Sequence, residues 1–216
     1  MAPLKLHGSE KASCTRRVAT VLRELRIPFE LIHVDWAKGE HKSAAFLEKQ
    51  PFGQIPYIDD DGFVLYESRA ICRYLAAKHP QCGLLPTPAD PKAHALFEQA
   101  ASVEMANFDP SASKAGLEIL KIEWGWAHDQ AVIDEQLAIL DKKLEAYEAI
   151  LAKQRYLAGN TLTLADLFHL PYAPMVGSGE NDVMTRRPNV ARWYNELISR
   201  PSWLAYVNGV KTTTAY

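Results

Sequence analysis

Two periodicities divide the chain. In the first eighty residues short alternating runs mix with helical ones. Leu4-Lys5-Leu6-His7 reads as a strand stopped by Gly8-Ser9, and from Ser13 the residues Val18, Val21, Leu22 and Leu25 fall at helical spacing. Pro28 ends that helix, and residues 29–34 alternate, Phe29, Leu31 and His33 against Glu30, Ile32 and Val34. Strand, helix, strand in this order predicts a right-handed parallel crossover. A polar loop, Lys38 to Ser43, precedes a short helix over 44–49. Tyr57-Ile58 and Phe63 to Tyr66 then form two apolar runs split by Asp59-Asp60-Asp61-Gly62, a hairpin pattern. A helix follows Glu67-Ser68, with Ile71, Tyr74, Leu75 and Lys78 on one side. The order βαβ, short helix, ββα predicts a small mixed sheet with helices on both faces.

Pro80, Pro86, Pro88 and Pro91, with Gly83, interrupt the pattern and mark a linker over 80–91. Strand signals almost vanish beyond it. Helices are predicted over 91–108, 132–151, 164–173 and 188–200, with a last one beginning at Pro201. Ile133, Leu137, Leu140, Leu144, Tyr147 and Leu151 make the most regular stripe, which reads as core. Thr163 and Asp166 have the spacing of a capping box, so Asp166 reads as structural. The tail from Lys211 to Tyr216 reads as frayed. The domains are therefore 1–79 (α/β) and 92–216 (all-α).

A length of 216 residues suits one large core or two modest ones, and a net charge of −2 offers no long-range attraction to nucleic acid or to an acidic membrane. No run reaches the roughly eighteen apolar residues of a membrane span. Cys14, Cys72 and Cys82 have no metal-ligand spacing and form no CxxC pair. Their odd number, with no evident signal peptide, points to a reducing compartment, the cytosol. The seven histidines share no ligand spacing, so no metal is expected.

The chemistry concentrates in residues 50–78 and at the first helix start. Glu67-Ser68 before a helix leaves unpaired N–H groups and a positive dipole end facing outward, either an anion seat or an ordinary capped helix. Pro56 between loop and strand suits a cis peptide that leaves the Ile55 backbone open to an extended ligand. Ser13-Cys14-Thr15-Arg16-Arg17 places hydroxyls, a thiol and two cations at a helix start, either a place that can lower a thiol pKa or simply a capped helix start with a buried cysteine. His41-Lys42 is a basic pair on a loop, either ligand-facing or simply solvated.

The segments KLHGS…TRRVATVL, KGEHKS…FL, QPFGQIPYIDDDGFVLYESRAICRYLA and LAGNTLTLADL resemble the phi class of the glutathione transferases over the whole chain. The resemblance implies a thioredoxin-like N-terminal domain, an all-α C-terminal domain and glutathione as co-substrate. Carried over by residue, it implies that Glu67 and Ser68 hold the γ-glutamyl end and that the Ile55 backbone, beside cis-Pro56, pairs with the cysteinyl unit. Gln54, His41 and Lys42 would meet the glycyl end. It implies a homodimer as well, with Phe52 at the interface. Members usually carry their catalytic serine where this chain has Ala12, with Ser13 in the next slot. Ser13 is therefore the candidate catalytic hydroxyl, and unaided N–H groups are the alternative.

The function expected is conjugation of glutathione to hydrophobic electrophiles, with peroxide reduction as an accompanying activity to assay. Met105, Phe108 and Trp124 are candidates for lining the electrophile's pocket. The rivals are a non-catalytic carrier of hydrophobic ligands and a thiol transferase using Cys14.

Overall fold

The computed structural model describes residues 3–179 and 181–216. The chain divides into two units, Met1–Cys82 together with Pro201–Tyr216, and Gly83–Arg200.

The first unit is built on a four-stranded sheet in the order β2-β1-β3-β4. From β1 (Leu4–Gly8) the chain passes through α1 (Ser13–Glu24) to β2 (Phe29–His33), which lies parallel to β1 as the sequence predicts. β3 (Tyr57–Asp60) runs antiparallel on the other side of β1 and turns into β4 (Phe63–Tyr66). Asp61 and Gly62 at the hairpin tip take φ of 55° and 90°, the left-handed pair that a two-residue turn needs. Side chains alternate, so Leu6 and Ile58, opposite one another and fully buried, share one face. There α1 packs on α3 (Ser68–Lys78), burying Val18, Val21 and Leu22 with Ile71, Cys72 and Leu75. The other face carries Tyr57, Val64 and Tyr66 under Phe46 of α2 (Ala44–Leu47), with His7 stacked on Tyr57 at 4.2 Å.

The tail departs from expectation. Pro201–Tyr216 belongs to the first unit, not to the helical one, and it is not frayed. Trp203 lies under the Arg16 guanidinium at 4.0 Å, and the Val210 N–H donates to the Glu10 carbonyl at 2.9 Å. Thr213 and Phe29 exchange two backbone hydrogen bonds of 2.8 and 3.0 Å, and the Thr212 hydroxyl accepts from the Leu31 N–H. These contacts cover the open edge of β2, which would otherwise present unpaired backbone groups. Backbone pairing of this kind leaves no mark in hydrophobic periodicity.

In the second unit α4 (Pro91–Val103) passes through a π turn, Glu104–Phe108, into α5 (Asp109–Glu123). Pro110 has no N–H to give to the preceding turn, and the ladder widens just before it. The sequence reading ended its helix at residue 108 and missed α5. The buried stripe of α5 is Ala112, Ala115, Gly116 and Ile119, helical in spacing but nearly without bulk. Phe108 is fully buried against His169, their ring centroids 4.6 Å apart, so it is core and cannot line an open pocket as expected. Met105 and Trp124 are 58% and 40% exposed.

α6 (Gln130–Leu151) follows its predicted stripe, and α7 (Leu164–Leu167), α8 (Ala173–Val176) and α9 (Pro188–Ile198) complete the unit. The helix expected over 164–173 is split, because Pro171 cannot continue the ladder. α10 (Pro201–Leu204) opens the segment that returns to the first unit. The buried Tyr147 hydroxyl, its pKa raised by burial and then by Glu104 and Asp166, keeps its proton beside His169 Nε2 at 3.0 Å. His169 Nδ1 then carries the other proton towards the Ala165 carbonyl at 2.9 Å.

The capping box of α7 is present. Asp166 is fully buried and does more than cap. It accepts from the N–H groups of Leu157 and Thr163, from the Thr163 hydroxyl and from Trp193 Nε1 at 3.0–3.1 Å. Burial raises its pKa and these donors oppose the rise. Replacing Asp166 by Ala strands several buried donors, so it is expected to cost roughly 3–5 kcal/mol. Thr163→Ala removes one hydroxyl and should cost about 0.5–2 kcal/mol. Urea unfolding of the two variants decides: equal losses would show that Asp166 acts as a helix cap alone.

Candidate active site

Strand register gathers the chemistry-bearing residues of the first unit. His7 near the end of β1 lies opposite Tyr57 at the start of β3, and Tyr57 lies opposite Tyr66 at the end of β4. Gly8, the last residue of β1, lies beside His33, the last of β2. One end of the sheet therefore carries four chain segments. They are the β1–α1 loop leading to Ser13 at the start of α1, the β2 exit towards His41-Lys42, the approach to β3 with Gln54, Ile55 and Pro56, and Glu67-Ser68 at the start of α3.

At the start of α1 Ala12 takes the N-cap position with φ −70° and ψ 129°, and it offers no side-chain acceptor to the first-turn N–H groups. Ser13, the first residue of the helix, is half-buried, and its hydroxyl makes no hydrogen bond among the described residues. Cys14 is a half-buried free thiol whose sulfur accepts from Arg17 Nη1 at 3.4 Å. Thr15 packs against Gly8: a Cβ at Gly8 would meet Thr15 Oγ1 at 2.5 Å.

The start of α3 is built in a similar way. Glu67 is its N-cap residue and holds φ 69°, a conformation costly for any side chain other than glycine. The Glu67 side chain is exposed and does not cap the helix, so the first-turn donors of α3 have no side-chain acceptor. Ser68 is buried, and its Oγ accepts from Arg17 Nη1 at 2.8 Å. The Ile55–Pro56 peptide is cis, in line with the sequence reading. Neither the N–H nor the C=O of Ile55 enters a backbone hydrogen bond among the described residues.

His41 and Lys42 form a 3₁₀ turn, Glu40–Lys42, packed on the loop before Pro56. Lys42 Nζ donates to the carbonyls of Gly53 and Phe52 at 2.8 and 3.2 Å. Gly53 holds φ +59°, and a Cβ there would meet the His41 carbonyl and the Lys42 side chain at 2.8 Å, so this approach requires glycine. His41 Nδ1 is buried without a partner, whereas Gln54 is exposed.

The sequence reading named Arg17 only as one of two cations at the start of α1 and did not pick it out as a site residue. It is buried, and one nitrogen joins the first turns of α1 and α3. The available signal was positional: Arg17 precedes Val18 and Val21 on the face that packs inward, an unusual place for a cation without a task. Cys72 below it is not reactive, since burial pushes its thiol up to about 12 against the pull of Arg17, Arg69 and Arg73. No group of three or more potential metal ligands occurs among the described residues.

Two helix N-termini with free donors, a buried guanidinium and an open strand-like backbone form a site for an extended ligand with several anionic groups. Comparison with known proteins agrees with this geometry. Residues 6–83 match the model of the glutathione S-transferase N-terminal domain, and residues 90–201 match that of the C-terminal domain. Glutathione S-transferase PM239X14 of Arabidopsis thaliana is 46% identical over 198 residues, covering 90% of this chain and 91% of the relative. Glutathione transferase F2 from Populus trichocarpa superposes with a TM-score of 0.89 at 36% identity, over 95% of this chain and 98% of that one. Glutathione S-transferase I from mais, solved with an atrazine glutathione conjugate, does so with 0.87 at 34%, over 95% and 96%. The chain belongs to the glutathione S-transferase family, in the phi class that its sequence resembles.

Proposed function

We propose that this protein binds glutathione at the end of the sheet, ionises its thiol and transfers the sulfur to hydrophobic electrophiles. The observation that carries the reading is the convergence of two side-chain-uncapped helix N-termini with the unpaired backbone of Ile55. The γ-glutamyl carboxylate takes the N–H groups at the start of α3 and the Ser68 hydroxyl, with Glu67 beside its ammonium. The cysteinyl unit pairs with Ile55 next to cis-Pro56. Lys42 spends two of its three ammonium protons on the Gly53 and Phe52 carbonyls. The third, with His41 and Gln54, serves the glycyl carboxylate.

In this pose the sulfur lies at the start of α1, where first-turn N–H groups and the Ser13 hydroxyl stabilise the thiolate. The thiolate attacks the electrophilic carbon, a C–S bond forms and the leaving group departs with its electron pair. The thiol proton goes to solvent. The mais relative was solved with an atrazine glutathione conjugate, which supports a small organic second substrate here. Three free cysteines suit a reducing, cytosolic setting.

The decisive assay follows conjugation of glutathione to a chloronitrobenzene, beside reduction of an organic hydroperoxide. Turnover of either kind supports the reading, whereas tight glutathione binding without turnover would favour a carrier. Ser68→Ala should weaken glutathione binding by roughly 1–3 kcal/mol, because a carboxylate loses its donor. Unchanged affinity by calorimetry would remove the γ-glutamyl group from α3. Ser13→Ala should raise the pKa of bound glutathione by about one to two units, since one charge-assisted hydrogen bond is worth roughly 1.5–3 kcal/mol. Thiolate absorbance against pH reads this directly. An unshifted titration, with Ala12→Ser accelerating conjugation, would assign thiolate stabilisation to the helix N–H groups.

The reading includes a homodimer. Phe52 is 65% exposed on its loop, with its ring edge-on to Tyr66. Light scattering should give about twice the chain mass of 24.2 kDa. Phe52→Ala should raise the dimer dissociation constant, and a parent that stays monomeric at micromolar concentration would discard the dimer.

A further inference from the structure

We propose that Arg17 is a positioning residue for glutathione: by donating to Ser68 Oγ it turns the Ser68 proton outward, towards the γ-glutamyl carboxylate. The inference rests on the glutathione reading above and adds a residue that the family resemblance did not supply.

A serine hydroxyl has one proton and two lone pairs, and its rotor is free unless a neighbour fixes it. Arg17 has donors and no acceptor, so the 2.8 Å contact from its Nη1 makes Ser68 Oγ the acceptor. The Ser68 proton must then point away from Arg17, which leaves it for an acceptor arriving at the start of α3. Arg17 is 1% exposed and Ser68 is 6% exposed, so little solvent competes for either group. A hydroxyl that accepts from a cation is polarised and becomes a stronger donor.

The contact is held by packing. α1 and α3 bury Val18, Val21 and Leu22 with Ile71, Cys72 and Leu75, which fixes the spacing of the two helices near Arg17. The same nitrogen lies 3.4 Å from Cys14 Sγ in the first turn of α1. The thiol end and the γ-glutamyl end of the proposed seat are thus referred to one buried nitrogen. Lysine would put a compact ammonium on a flexible stem in place of a planar group with fixed N–H directions.

The test compares two ligands and two backgrounds. Glutathione and cysteinylglycine share the thiol and the glycyl carboxylate, but only glutathione has the γ-glutamyl carboxylate. Arg17→Met should weaken glutathione by about thirtyfold, or about 2 kcal/mol at 1.4 kcal/mol per tenfold. It should change cysteinylglycine by less than about threefold, and on a Ser68→Ala background its cost for glutathione should fall by at least half. Competition calorimetry measures the six constants. Equal weakening of both ligands would mean that Arg17 merely holds the fold, and an undiminished cost on Ser68→Ala would mean that it does not act through Ser68. Either result overturns the proposal. If Arg17→Met does not fold, Arg17→Lys replaces it in the same design, with a glutathione-selective loss of about tenfold expected. A parent protein that binds no glutathione overturns the function reading itself. A parent that binds, is weakened by Ser68→Ala and is untouched by Arg17→Met overturns only the Arg17 assignment.

Discussion

The register of the antiparallel strands is the constraint on which the proposed chemistry depends. β1 ends where β3 begins and β4 ends, because His7, Tyr57 and Tyr66 stand in line across the sheet. A shift of one residue would turn every side chain to the opposite face and move the Glu67-Ser68 corner along the sheet. The register is held from both sides. Leu6 and Ile58 are fully buried on one face, while Tyr57 stacks on His7 and meets Phe46 edge-on on the other. Hydrophobic packing on both faces therefore determines where two helix N-termini sit.

Each unit also contains a buried charged side chain with several partners, and the two have different consequences. Asp166 accepts four hydrogen bonds and ties the start of α7 to Trp193 of α9 and to the Leu157 loop. Its effect is on stability. Arg17 bridges two helix starts at the proposed site, and its hydrogen bond decides the direction of a hydroxyl. Both are expensive to desolvate, and both persist because good geometry returns most of that cost. Removing one partner from either is worse than never having had the pair, which is why truncation at such positions is so informative.

Much of this was legible in the sequence, for reasons that can be named. The strands, the α6 stripe, the Thr163-Asp166 box and the residues flanking Pro56 all carry strong local signals, either bulky periodic side chains or diagnostic spacing. Three features carry none. α5 buries alanine and glycine, which hydrophobic patterns register weakly. The tail is fixed by backbone pairing of Thr213 with Phe29, which any sequence of extended residues could make. Arg17 meets Ser68 across 51 positions, and no local rule links the two. Met105 and Trp124 are exposed, whereas Phe108 is core, packed against His169.

The start of α1 shows a trade between stability and function. Alanine is among the poorest N-cap residues, and serine in its place would be worth about 1 kcal/mol to the helix. At Ala12 that stabilisation is absent, and the first-turn N–H groups have no acceptor from their own N-cap side chain. Glu67 repeats the arrangement at α3 with a strained φ of 69° and a side chain that turns away from the helix end. Two helices that start at the same end of the sheet both forgo side-chain caps. In the proposed function an anionic ligand would supply at both ends the acceptors that the N-cap side chains do not. The donors are then already oriented before the ligand arrives, and binding costs little further ordering of the backbone. In the proposed function Ser13 would refine a field that the helix end already provides: the N–H groups would favour the anion, and the hydroxyl would select where along the first turn the sulfur rests.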